Sequence, residues 1–113
     1  METEIIEKIK KQIIEIKKLD SDDRYFNLDG HVKIILNNLL ELIKNSNDKE
    51  IKQRYELIWR TLDCRNDREV KFAKWAYDKA RSKNAAKIRE MEYRTKLLQT
   101  IELVESDLSH FIN

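Results

Sequence analysis

The stretch Asp67–Phe111, DREVKFAKWAYDKARSKNAAKIREMEYRTKLLQTIELVESDLSHF, decides the fold, because neither proline nor glycine interrupts it. Val70, Ala73, Tyr77, Ala80, Asn84, Ile88, Met91, Thr95 and Leu98 recur at steps of three and four, the spacing of one helical face. Ile101, Val104, Leu108 and Phe111 extend it. The spacing predicts either one helix of about 45 residues or a helical hairpin broken near Ser82–Asn84. At Ser82–Asn84 the apolar face is weakest, with Asn84 on the seam. An unbroken helix would outrun its neighbours and need a second subunit, or a fold-back, to cover its far end.

Upstream, Ile5, Ile9, Ile13 and Ile16 step by four, four and three and predict a first helix over 4–18, with Ile6 and Ile14 widening its stripe. Leu19–Asn27 breaks that period. Asp20 and Ser21 suit a helix start, and a short helical turn fits Arg24–Leu28. Val32, Ile35, Leu36, Leu39, Leu40, Leu42 and Ile43 form the densest apolar stripe, placing a second helix over 29–44 at the centre of the core. Asn47 with Glu50, and Asn66 with Glu69, have the form of capping boxes, in which a side-chain acceptor and a carboxylate satisfy the free amides of a helix start. They predict a third helix over 48–64, marked by Ile51, Tyr55, Ile58 and Leu62, and a fourth starting near Asp67. The expected fold is therefore all-α. It is an antiparallel bundle of four or five helices in one domain over 1–113, with a long C-terminal helix or helical hairpin.

Composition agrees. One glycine and no proline in 113 residues leave few residues suited to tight turns, so all-β folds and glycine-rich phosphate loops fit poorly. With 39% charged and 41% hydrophobic residues, the chain has the balance of a helical protein with a polar surface. No apolar run approaches the roughly 20 residues needed to span a bilayer. The charged N-terminus does not resemble a signal peptide, and Cys64 is the only cysteine. Together these predict a cytoplasmic protein with no membrane contact.

The near-neutral total of +2 conceals a sharp asymmetry. Lys71–Lys96 holds nine Lys and Arg against Asp78, Glu90 and Glu92, whereas the residues on either side of it are net acidic. At 100° per residue, Lys71, Lys74, Arg81, Arg89 and Lys96 run along one flank of a continuous helix, and Lys79, Lys83, Lys87 and Arg94 along the other. Trp75 and Tyr93, with Ser82 and Ala86, fall between the flanks, opposite the core. Trp, Tyr and Arg are the residues enriched in interface hot spots. Lys71, Lys74, Trp75, Arg81, Arg89, Tyr93 and Lys96 are therefore the candidate contacts for a protein partner with an acidic surface. Lys79, Lys83, Lys87 and Arg94 would serve a nucleic acid instead, with aromatics stacking on bases. A third reading is a homodimer through Leu97–Phe111, which is rich in Leu, Ile and Val and lacks Lys and Arg. The structural alternative to all three is a solvated helix whose Lys and Arg stems cover the edges of the core.

Catalytic signals are sparse, and no cofactor or metal is expected. Asp107 and His110 are spaced like half of a di-iron motif, but His31 has Leu28 where the other carboxylate belongs. The acidic residues of Asp20–Asp22 lack the glycine and glutamate offsets of a calcium loop. Cys64 has Arg60, Arg65 and Arg68 nearby but no local base, so a buried apolar role is expected for it. His31 reads as a surface residue at a helix start. The expectation is a small non-catalytic binding module of inhibitor, immunity or adaptor type.

Overall fold

A computed structural model describes residues 2–19 and 24–110. Among the described residues there are four helices and no strand: α1 (Glu2–Lys18), α2 (Tyr25–Asn45), α3 (Lys49–Lys79) and α4 (Lys83–Ser109). The chain is all-α, and of the two sequence alternatives it adopts the hairpin. Three-residue links, Ser46–Asp48 and Ala80–Ser82, join α2 to α3 and α3 to α4. Links that short oblige neighbouring helices to run antiparallel. The bundle measures 51 × 23 × 17 Å, and α3 sets its long axis, since 31 residues at 1.5 Å each reach about 46 Å.

The core collects the stripes of all four helices. Ile9, Ile13 and Ile16 of α1, Val32, Ile35, Leu39 and Leu42 of α2, Leu62 and Ala73 of α3, and Ile101 and Leu108 of α4 have no exposed surface. Withdrawing each Ile or Leu from water contributes about 1.5–3 kcal/mol. Ile6 joins the stripe of α1, but Ile14 is half exposed, because α1 packs mainly on one side, against α2. Helix α2 starts at Tyr25, four residues before the expected 29, and the turn expected at 24–28 is its first turn. Its Leu40, expected in the stripe, is 46% exposed. Asp20 and Ser21, expected at a helix start, and the rejected calcium loop around Asp22 lie outside the described residues.

Two capping assignments are corrected. At the start of α3 the cap is Asp48, not Asn47: its carboxylate accepts from the Glu50 amide at 2.9 Å and the Ile51 amide at 3.3 Å. Asn66 and Glu69 cap nothing. Both are buried inside α3, which runs unbroken through them to Lys79. Asn66 links three helices. Its Nδ2 donates to Asp29 Oδ1 of α2 at 2.6 Å, and its Oδ1 accepts from Tyr93 Oη of α4 at 2.8 Å. Glu69, one turn on, lies 3.5 Å from Lys96 of α4 and 3.8 Å from Arg68. The residue types that begin a helix at the surface here form a polar layer inside the bundle.

The turn from α3 to α4 takes place without glycine or proline and without positive φ. Ala80 and Ser82 are simply extended, and the Ser82 hydroxyl accepts from the Ala85 amide at 3.2 Å to cap α4. This break resets the helical phase. The buried face of α4 is Ala86, Glu90, Tyr93, Leu97, Thr100, Ile101, Val104 and Leu108. Ile88 and Met91, expected in the core, are about half exposed.

The expected dimer face is also corrected. Leu97, Ile101, Val104 and Leu108 are buried inside the bundle and Leu98 packs against the same core, so these side chains do not face a second copy. Phe111 lies outside the described residues.

Candidate functional site

Folding the basic segment into a hairpin rearranges the candidate contacts. Trp75 remains the most exposed of its aromatics, at 58%, and stacks on Phe72 with ring centroids 6.1 Å apart. Phe72 is 41% exposed, and the Arg89 guanidinium of α4 sits 5.7 Å over its ring. Arg89 is held there by Glu92, 3.0 Å away. Lys71, Lys74 and Lys79 are exposed on α3 and Lys96 on α4. Lys71 pairs with Asp67 at 3.0 Å along the α3 surface. The protein therefore displays a stacked aromatic pair on a rigid hairpin, with cations before and after it in sequence and one laid over it from the adjacent helix.

Tyr93 is not part of this surface. It is 2% exposed, and its hydroxyl is taken by Asn66. Burial pushes its ionisation well above the usual 10.0, and the nearby Asp29 and Glu69 carboxylates push the same way. Its placement opposite the core assumed that the phase of α3 continued through residue 82, which the break at Ala80–Ser82 prevents. Ala86 is buried for the same reason.

The second set of cations does not form one row. Lys79 ends α3, whereas Lys83 and Lys87 open α4 on the far side of the turn. Arg94 is partly buried, and its guanidinium donates to the Leu19 carbonyl. Arg81 lies in the turn itself, with Lys83 and Lys87 but apart from Arg89 and Lys96. These residues line a cleft of about 570 Å³ at the elbow, together with Arg24, Tyr77, Ala80, Ser82, Ala86 and Glu90. Arg24, which precedes α2, closes one side: its guanidinium stacks 4.1 Å over the Tyr77 ring and bonds Glu90 at 2.8 Å. A hydrogen-bonding interaction with Tyr77, then the charge of Glu90, holds Arg24 even more firmly protonated than usual.

No protein-family model, curated protein or solved structure matches this chain. The geometry of the surface must carry the functional reading.

Cys64 is exposed rather than buried, because the continuous α3 turns position 64 to solvent while Leu62 and Asn66 face inward. His31 is partly buried inside α2, where its Nδ1 meets the Gln12 amide of α1, rather than at a helix start. Asp107 and His110 are exposed at the end of α4. Among the described residues no three His, Cys, Asp or Glu side chains gather as a metal-ligand set, and no helix is long and apolar enough to cross a membrane.

Sequence reasoning missed Phe72, Arg24 and Tyr77 as surface features. Phe72 had a signal, since it lies three residues before Trp75 and shares its side of a helix. Arg24 had none, because its partners are 53 and 66 residues away in the chain.

Proposed function

We propose that this chain is a non-catalytic protein-binding module that docks an acidic partner on the Phe72–Trp75 face of the hairpin and acts by occluding or bridging it. The observation that carries the reading is the exposed, stacked aromatic pair with Arg89 laid over it. Large aromatics held in a fixed orientation lose little conformational entropy on docking, and Trp, Tyr and Arg dominate interface hot spots. Lys71, Lys74 and Lys79 share α3 with the pair and Arg89 and Lys96 lie on α4, so an acidic surface is the complementary one, its carboxylates competing with Asp67, Glu92 and Glu69, which hold Lys71, Arg89 and Lys96. Arg81 belongs to the elbow cleft and leaves this contact set. Tyr93 leaves it by burial.

The experiment is affinity capture from the source cell's lysate with and without nuclease, comparing the wild type with Phe72→Ala/Trp75→Ala. A stoichiometric protein that survives nuclease and is lost by the variant is expected. Loss of a tryptophan hot spot costs about 2 kcal/mol or more, roughly 30-fold in affinity. Equal capture by the variant would show that the aromatic face is not the contact. Signal that disappears with nuclease would favour nucleic-acid binding instead.

A further inference from the structure

Helix α4 is apolar on two opposite sides. Its buried face runs from Ala86 through Tyr93 and Leu97 to Leu108. At 100° per residue, Ile88, Met91, Thr95 and Leu103 fall within an arc of about 120° centred opposite that face. Ile88 is 56%, Met91 47% and Leu103 58% exposed. Thr95 brings no unmet donor, because its hydroxyl donates to the Met91 carbonyl at 3.0 Å. Scattered exposed apolar residues are ordinary on a protein surface, but these share one stripe. A helix that is apolar all round is one that is covered all round, and the described residues cover α4 on one side only.

Charge along the helix points to what covers the other side. Lys83–Lys96 holds five Lys and Arg against Glu90 and Glu92, a net +3, whereas 97–109 holds Glu102, Glu105 and Asp107 and no cation, a net −3. A second α4 laid antiparallel sets the basic half of each copy against the acidic half of the other, and a parallel one sets like on like. Several of these groups have partners in their own chain: Arg89 with Glu92 at 3.0 Å, Lys96 with Glu69 at 3.5 Å and Glu105 with Lys17 at 2.9 Å. Exposed ion pairs contribute little, so charge selects the direction and the apolar contacts supply the affinity. Spacing agrees with that direction. Ile88 and Leu103 are about 22 Å apart along the helix, at equal distances from a midpoint beside Thr95, whose small side chain lets two helices approach. We propose that the outer face of α4 binds the same face of a second copy, antiparallel, with Ile88 of each chain on Leu103 of the other and Thr95 near the two-fold axis. Such a contact is self-complementary and closes as a dimer. It is separate from the Phe72–Trp75 docking face on α3, and neither requires the other.

The test is sedimentation equilibrium of the full chain from about 5 µM to about 500 µM, because a contact of one helix on another is small and small interfaces are weak. The mass should rise with concentration from that of one chain towards twice that. Ile88→Asp/Leu103→Asp should weaken association about a hundredfold or more, since it removes two apolar anchors from each copy and sets carboxylates face to face. Leu57→Asp, at a 67% exposed position on α3, should leave it within about twofold. Circular dichroism of each variant checks that the helices are intact. Direction is read by cross-linking in a Cys64→Ser background. Ile88→Cys/Leu103→Cys should join two copies under mild oxidation, and Ile88→Cys alone should not, because the two positions 88 lie about 22 Å apart in the antiparallel dimer and a disulfide needs about 4.4–6.8 Å between Cα atoms. A mass of one chain at every concentration would overturn the proposal. So would equal weakening by Leu57→Asp, or cross-linking of Ile88→Cys alone as readily as of the double variant.

Discussion

The substitution Tyr93→Phe separates the buried role of this side chain from the exposed role expected from the sequence. In the bundle, Tyr93 Oη donates at 2.8 Å to Asn66 Oδ1, and Tyr93 and Asn66 are 2% and 3% exposed. Removing the hydroxyl leaves the ring in place and deprives a buried acceptor of its donor. A typical hydrogen bond contributes about 0.5–1.5 kcal/mol net, and an orphaned buried acceptor costs about 1–3 kcal/mol. Water reaches this site poorly, so a loss of about 1.5–2.5 kcal/mol is expected. For a chain of this length, that lowers the melting temperature by roughly 6–10 °C. Thermal unfolding followed by circular dichroism at pH 7 measures it. Lys52→Ala, at an exposed position near the start of α3, serves as the comparison and should stay within about 0.5 kcal/mol. A double-mutant cycle with Asn66→Ala should give a coupling of about 0.5 kcal/mol or more, because the two side chains share one contact. A Tyr93→Phe protein that melts within 1 °C or so of the wild type would refute the polar layer and return Tyr93 to the surface.

The same burial makes stability sensitive to alkaline pH. Folding raises the pKa of Tyr93, and that of Tyr55 by burial and the Glu2 charge, above the usual 10.0. The neutral form is thus the one the fold retains. This stabilisation is complete below pH 10 and is lost as pH rises further, because the unfolded chain releases these protons first. Melting temperatures should hold below that point and fall steadily above it, and the fall should be smaller in Tyr93→Phe relative to its own value at pH 7. Gly30 provides an opposite case. It sits exposed inside α2, and beyond its chain neighbours and the local helix backbone nothing lies within 4 Å of where a Cβ would be. Gly30→Ala should therefore stabilise the protein by about 0.5–1 kcal/mol in urea unfolding. A destabilised variant would mean that the helix does not run through this position.

The all-α class and the inner stripes of α1 and most of α2 were legible because a single unbroken period of three and four carries them. Ile9, Ile13, Ile35 and Leu39 need no tertiary information to be assigned to the core. The third helix was harder. Asn66 and Glu69 look like a helix start because their chemistry suits free amides, and only the presence of Asp29 and Tyr93 from other helices reveals the different use. The fourth helix failed through phase. With no glycine or proline at the elbow, the period was carried from Tyr77 across to Ile88, although the break at Ala80–Ser82 shifts it so that Ala86, Glu90 and Tyr93 turn inward. That one shift moved Tyr93 off the candidate surface and placed Ile88 and Met91 on the outside. Trp75 survived because it precedes the break. The elbow cleft was illegible, since it depends on Arg24 reaching Tyr77 and Glu90 across the bundle.

The central claim is that Trp75 is an exposed anchor that a partner covers, and tryptophan fluorescence tests it most directly. In Trp59→Phe, Trp75 is the only remaining tryptophan. Its emission in the isolated protein should match that of a water-exposed indole and be readily quenched by iodide. Addition of the captured partner should move the emission to the blue and protect it from the quencher. Emission that is already blue and protected in the isolated protein, or that stays unchanged when the partner is bound, would contradict the account.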